Sequence, residues 1–194
     1  MNNTENLQTP ERDHLCSQLD RHLDWIKSCD TKSSIVLAVV GIFLTIFTSE
    51  QSLEMLMKIV TLTLKNINFS NILFLLLFVI AWSFFIYGTY SLIRVLTPRL
   101  SRDVNSNENV DVNSSLYFFE SISRNKYSEY KERVFLQSKE DEIDDILSQI
   151  YVNARISTIK YKYYSKGIRY VFLGIAMVLF LFVVGIILVK VGGI

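Results

Sequence analysis

Three long stretches without a charged residue limit what this chain can fold into. They are residues 33–49, 66–93 and 170–189, which are 17, 28 and 20 residues long. A helix needs roughly 17 to 25 residues to cross a hydrocarbon core of about 30 Å. The sequence therefore predicts an all-α integral membrane protein with three transmembrane helices and a cytoplasmic helical region. The first stretch is short enough to be a buried helix of a soluble protein instead.

Lysine and arginine residues near these stretches predict the orientation of the chain. On one side lie Lys27, Lys32, Arg94, Arg99, Arg102, Arg155, Lys160, Lys162, Lys166 and Arg169, and on the other only Lys58, Lys65 and Lys190. Because the side with more lysine and arginine faces the cytoplasm, we expect the N-terminus to be cytoplasmic and the C-terminus external. The polar, mixed-charge residues 1–14 do not resemble a cleaved signal peptide.

These patterns divide the chain into seven predicted segments. They are a cytoplasmic N-terminal helix (1–32), transmembrane helix 1 (33–49), an external amphipathic connector (50–69), transmembrane helix 2 (70–93), a cytoplasmic loop with a long helix (94–169), transmembrane helix 3 (170–190) and an external C-terminus (191–194). No helix breaker occurs between Pro10 and Gly41, so the first helix is expected to continue unbroken into its span. The connector either lies in the membrane interface, with Leu53, Leu56, Val60, Leu64 and Ile67 on one side, or packs on the bundle.

Charged residues precede the first span in the sequence DWIKSCDTKSS, residues 24–34. Trp25 and Lys32 share a helix face, whereas Asp30 lies about 140° from Trp25. In one interpretation Trp25 and Lys32 anchor the helix at the lipid headgroups while Asp30 points to the cytosol. In the other, Asp30 pairs with a cation on another helix end, such as Arg94 or Arg155.

Catalytic and metal-binding motifs are missing from the sequence. It contains no GxSxG, Walker A, HExxH or CxxC pattern, so we predict neither an enzyme nor a metal site. The acidic run 140–145 lacks the alternation of a calcium loop and is interpreted as a solvated helix face. Cys16 and Cys29 would face the reducing cytoplasm, where a disulfide is not expected. The net charge of +1 gives no indication of nucleic-acid binding.

Four separated motifs resemble one known family, the transmembrane effectors of Pycsar antiphage defence systems. They are WIKSCDTKSSIVLAVVGIFL, LIRVLTPR, SLYFFESIS and LSQIYVNARISTIKYKYYSKGIRY, in the order that the family shows. The resemblance covers about residues 12–190. It implies an inner-membrane protein that stays silent until a partner cyclase makes cyclic CMP or cyclic UMP, and that then impairs membrane integrity in an abortive infection. Trp25, Asp30 and Lys32 belong to the family signature.

No cyclic-nucleotide-binding fold is recognisable in the sequence, so a ligand site would have to be built from helices. The resemblance implies cyclic CMP or cyclic UMP as the activating ligand, and no other cofactor is expected. A cation beside an aromatic ring suits a phosphate and a base. The candidates are Arg124, Lys126 and Tyr127, or Tyr151 and Arg155. Each of these cations could instead be solvated or face the membrane. The three aromatics 117–119 suggest docking onto the membrane, the helices or a subunit.

We also expect a homo-oligomer. Within the spans, contact between helices is expected at small or polar positions, namely Gly41, Gly88, Gly174, Gly185, Thr45, Ser83, Thr89 and Ser91. Two other functions remain open. The chain could be a membrane effector that answers other cyclic nucleotides or oligonucleotides, or a membrane scaffold whose cytosolic helices recruit a partner.

Overall fold

Six helices form the part of the chain that the structure describes. The computed structural model describes residues 11–98 and 115–191, and within these two ranges there is no strand. The helices are α1 (Arg12–Phe47), α2 (Glu50–Lys65), α3 (Phe69–Leu96), α4 (Phe119–Arg124), α5 (Tyr127–Leu136) and α6 (Lys139–Val191). Helices α1, α3 and α6 are long and apolar enough to cross a membrane. The predicted all-α protein with three membrane-spanning helices is thus confirmed.

The chain forms two compact units. The polar unit comprises Met1–Ser28 with Pro98–Ile159, and the membrane unit comprises Cys29–Thr97 with Lys160–Ile194. Residues 99–114 of the predicted cytoplasmic loop, residues 1–10 and nearly all of the predicted external C-terminus lie outside the described residues.

Two helices are much longer than a bilayer requires. Helix α1 has 36 residues and α6 has 53, so at about 1.5 Å per residue α6 is about 80 Å long. As the sequence predicts, α1 runs without a break from its polar start into its apolar half. Both helices therefore contribute residues to both units.

In the membrane unit, α3 and α6 approach closely at two glycines. A Cβ on Gly88 would lie 2.4 Å from the backbone nitrogen of Val171, and one on Gly174 would lie 2.5 Å from that of Phe85. Any larger side chain would push the two backbones apart, so glycine is required there. The predicted helix contacts at Gly88 and Gly174 are confirmed.

The other predicted contact positions do not bring α3 and α6 together. Gly185 packs against Ile59 of α2, but nothing lies within 4 Å of where a Cβ of Gly41 would be. Each predicted hydroxyl donates to the carbonyl four residues earlier in its own helix, as seen for Thr45, Ser83, Thr89 and Ser91. These hydroxyls are satisfied locally, so their hydrogen bonds do not join the spans.

Aromatic rings fill the centre of the membrane unit. The ring of Phe47 on α1 contacts Trp82 of α3 and Phe182 of α6, with centroid separations of 5.4 and 5.3 Å. Phe43 on α1 meets Phe85 of α3 at 5.4 Å. Edge-on and tilted ring pairs of this kind add to the burial that holds the three spans together.

Helix α2 packs on this bundle, which agrees with the second interpretation of the connector. Its buried residues are Ile59 and Thr63. Leu53 and Leu64, on the predicted apolar face, are exposed on the surface of α2, as the residues of a helix in the membrane interface would be. Packing against Gly185 of α6 selects the buried face, and helical periodicity alone does not.

A small core joins the elements of the polar unit. Val152 and Ile156 of α6 are buried, and Ile26 of α1 and Phe118 pack against them. Phe118 therefore docks onto the helices, one of the three surfaces that the sequence leaves open. Its neighbour Phe119 is 68% exposed.

Candidate functional site

An ion pair joins α1 to α6 at the start of the membrane unit. Lys160 Nζ on α6 donates to Asp30 Oδ1 on α1. The side chain of Lys160 is 6% exposed and that of Asp30 is 36% exposed. A lysine removed from water to this extent is costly unless its charge is compensated. Asp30 supplies that compensation.

This geometry supports the interpretation in which Asp30 pairs across helices, but the partner is neither Arg94 nor Arg155. The guanidinium of Arg94 lies 5.6 Å from the ring centroid of Tyr163. Arg155 lies on an exposed face of α6, whereas Lys160 is on a buried one. Since five residues turn a helix by about 140°, the two cations cannot face the same way.

Two further residues of the membrane unit are buried beside Asp30 in the sequence. Cys29 is 1% exposed, and burial raises the pKa of its thiol. Ser33 is fully buried, and its Oγ has no hydrogen-bond partner among the described residues. Lys160, Cys29 and Ser33 are thus buried, while Asp30 keeps part of its carboxylate in contact with solvent.

Trp25 and Lys32 lie where headgroup anchors would be expected. Trp25 is 50% exposed, and its ring edge meets His22 at a centroid distance of 5.0 Å. Lys32 is exposed. Their anchoring role stays a prediction.

The candidate ligand-binding residues lie in the polar unit. Arg124 forms an ion pair with Glu120 one turn earlier in α4. Lys126 precedes α5, and Tyr127, its first residue, is 78% exposed.

The other candidate pair is brought together on α6. Arg155 Nη1 donates to the hydroxyl of Tyr151 at 3.1 Å, and its guanidinium lies 5.9 Å from that ring centroid. This places a cation beside an aromatic ring, as the sequence predicts, on an exposed surface.

A hydrogen-bonded network in the polar unit was not anticipated from the sequence. Glu142 Oε1 accepts from Arg12 Nε at 2.6 Å and from the Tyr117 hydroxyl at 2.8 Å. Asp145 Oδ2 accepts from the backbone nitrogen of Leu116 at 2.7 Å. The interpretation of 140–145 as a solvated face is therefore wrong for Glu142 and Asp145, which hold residues 116 and 117 against α6.

The network shifts the proton affinities of its members. The hydrogen bonds from Arg12 and then Tyr117 lower the pKa of Glu142. Burial, followed by the hydrogen bond to Glu142, raises the pKa of the Tyr117 hydroxyl. The hydrogen bond to Glu142 raises the pKa of Arg12 above its already high ordinary value. Glu142 therefore stays ionised to a lower pH than an ordinary glutamate does.

In the described ranges 11–98 and 115–191, no three or more histidine, cysteine, aspartate or glutamate side chains are placed so that they could hold a metal ion. The two cysteines are free thiols.

Comparison with known proteins adds independent findings. The Pycsar effector protein domain matches residues 14–189 of the chain. The chain is 31% identical over 159 residues to the Pycsar effector protein GmPycTM of Gulbenkiania mobilis, an alignment that covers 78% of this chain and 81% of that relative. No solved structure matches the chain.

Proposed function

The chain belongs to the Pycsar effector family of transmembrane proteins, and from this we propose that it is an antiphage effector activated by cyclic CMP or cyclic UMP. The nucleotide is made by a partner cyclase, and its binding leads the effector to impair the integrity of the inner membrane. The effector needs no chemistry of its own for this role.

The proposed orientation places the polar unit in the cytoplasm, where the nucleotide is made. The excess of lysine and arginine on that side of the spans supports it. The active form is a homo-oligomer.

The observation that carries the proposed mechanism is the ion pair between Asp30 and Lys160. It joins α1 and α6, the two helices that have residues in both units, and it lies three residues before the uncharged stretch of α1 and ten residues before that of α6. Removing one partner of a fully buried pair costs about 3–5 kcal/mol, because the remaining charge is left uncompensated. Asp30 is 36% exposed, so solvent screens this pair and the cost of breaking it is smaller. In the proposed resting state, the pair keeps α1 and α6 in the closed arrangement.

Activation then requires a difference in ligand affinity. A nucleotide can open the bundle only if it binds the arrangement with the rearranged junction more tightly than the resting one. To shift the population from about 1% to about 99% open, that difference must be about 10⁴-fold.

The experiment that tests this function is a membrane-potential measurement. Cells expressing the protein, without a cyclase, are loaded with a voltage-sensitive dye before cyclic CMP or cyclic UMP is supplied. We expect rapid depolarisation with one of the two nucleotides and none without it. Asp30→Asn, which leaves the lysine buried and uncompensated, should depolarise cells without any nucleotide.

Two variants act as controls for the junction. Lys32→Gln removes a cation that is exposed, so cells should remain polarised until nucleotide is added. Asp30→Asn combined with Lys160→Met removes both charges and should restore most of the nucleotide dependence.

Other results would point elsewhere. Depolarisation by a cyclic oligonucleotide, but by neither pyrimidine nucleotide, would assign the protein to a different messenger. An inserted protein that never depolarises the membrane would be a scaffold. If Asp30→Asn behaved like wild type, the ion pair would have no part in gating.

A further inference from the structure

One face of α6 in the polar unit is covered by the segment 115–121. Leu116 donates its backbone N–H to Asp145, and Phe118 packs against Val152 and Ile156. Positions 145, 149, 152 and 156 recur at helical spacing, so they form one stripe along α6. Gln149 thus lies on the covered stripe, between the residue that binds Leu116 and those that contact Phe118.

The segment 115–121 itself contains buried polar side chains. Ser115 and Ser121 are each 3% exposed. Ser121 Oγ donates to the carbonyl of Ser115 and, at 2.8 Å, to that of Phe118, and Ser115 Oγ accepts from the backbone nitrogen of Tyr117. These bonds lie within the segment, so they are kept if it moves as one piece.

Gln149 is the exception among these groups. Its residue is 2% exposed, yet its side-chain Nε2 has no hydrogen-bond partner among the described residues. Glu120, at the end of the same segment, also keeps Oε2 buried and without a partner there. Native proteins rarely leave buried polar atoms unpaired, since each loses its hydration without replacement. A buried donor and a buried acceptor are therefore available to a ligand.

We propose that Gln149 and the segment 115–121 form the site that recognises the pyrimidine base of the activating nucleotide. This rests on the proposed function. Cytosine and uracil share a carbonyl at C2, which accepts a hydrogen bond from Gln149 Nε2. Glu120 Oε2 accepts from the amino group of cytosine or from the N3–H of uracil. A ligand is bound by such groups because it satisfies donors and acceptors that the free protein leaves unpaired.

Entry of the base requires the cover to lift from α6. The contacts that yield are the Leu116 to Asp145 bond, the Tyr117 to Glu142 bond and the packing of Phe118. The two hydrogen bonds are accepted by the carboxylates of Asp145 and Glu142, which water can solvate when the segment lifts. Binding of the nucleotide must therefore offset two hydrogen bonds and the packing of Phe118, and it gains the pairing of the buried amide.

The test is titration calorimetry with cyclic CMP and with cyclic UMP on the full-length protein in detergent. Gln149→Leu keeps the approximate size of the side chain and removes the amide. We expect it to weaken nucleotide binding by at least about tenfold, while the melting temperature without ligand is unchanged or higher, because an unpaired buried donor has been removed. Gln149→Met provides the same readout if the leucine variant does not fold.

The matched control is Leu147→Ala, two residues away on the exposed surface of α6, and it should bind nucleotide with wild-type affinity. A separate variant, Tyr151→Leu, tests the rival site. A loss of affinity confined to Tyr151→Leu would move the site to Tyr151 and Arg155. If wild type binds neither nucleotide, the proposed function itself fails. If wild type and Gln149→Leu bind equally, only the site is wrong. A lower ligand-free melting temperature with unchanged affinity would show that a buried water, and not a nucleotide, pairs the amide.

Discussion

Replacing Gly88 by alanine should loosen the membrane unit, whereas the same replacement at Gly41 should not. The new Cβ at position 88 would lie 2.4 Å from the Val171 nitrogen and 2.8 Å from the Tyr170 carbonyl carbon. Ordinary contacts begin at 3.4 Å, so α3 and α6 must separate by about 1 Å at this level. Neither contact is with a side-chain end that could rotate away.

The size of the effect follows from two opposing terms. Overpacking a close contact costs about 1–3 kcal/mol, and a clash with backbone lies at the upper end. Alanine gains up to about 1 kcal/mol over glycine in a helix. We therefore expect Gly88→Ala to lower the free energy of unfolding by about 2 kcal/mol. Gly41→Ala, with open space around its Cβ, should be neutral or slightly stabilising.

The assay is SDS-induced unfolding in mixed micelles, followed by tryptophan fluorescence, because Trp82 packs within the aromatic centre of the membrane unit. Both variants should retain their helical circular dichroism in detergent. Equal unfolding free energies for Gly88→Ala and Gly41→Ala would refute the close approach of α3 and α6.

Two further predictions concern the polar unit. The pKa of Glu142 is lower in the folded protein than its ordinary value of 4.5, so the contribution of Glu142 to stability is complete above pH 4.5 and is lost as the pH falls through the folded-state pKa. Glu142→Gln should therefore flatten the decline in melting temperature below about pH 4.5. Asp144→Asn, at an exposed position, should reproduce the wild-type curve. Phe118→Ala should lower the free energy of unfolding by about 2 kcal/mol, since it removes a half-buried ring from the α6 surface. Phe119→Ala, at an exposed position, should change it by no more than about 0.5 kcal/mol. If chemical denaturation showed the same loss of unfolding free energy for both variants, the docking of Phe118 would be contradicted.

The membrane spans were predictable because the hydrocarbon core of a bilayer restricts the amino-acid composition of any helix that crosses it. A helix crossing hydrocarbon cannot easily carry charge, so the three uncharged stretches alone indicate α1, α3 and α6. The resemblance carried by the four motifs was confirmed by the match over residues 14–189. Neither the spans nor the family resemblance depends on which residues are in contact in the folded protein.

The site was only partly predictable. The sequence indicates that Asp30, close to a span, needs a partner, but Arg94 and Arg155 satisfy the same local criteria as Lys160. Choosing among them depends on how α1 and α6 are aligned and rotated against each other, which residues 130 positions apart do not encode locally. Glu142 was missed for the same reason, since its partner Arg12 is equally distant in sequence.

What the sequence determined by itself is therefore the three apolar spans, the unbroken first helix, the long helix before the third span and the family, because these follow from local composition and from motif order. The short helices α4 and α5 were not predicted as separate helices. Only the tertiary structure decided that Gly88 and Gly174, but not Gly41, meet another helix, that Lys160 neutralises Asp30, and that Gln149 is buried without a partner. Each of these depends on contacts between distant segments, and a small rotation or shift of one helix against another would change all of them without altering a single helical pattern.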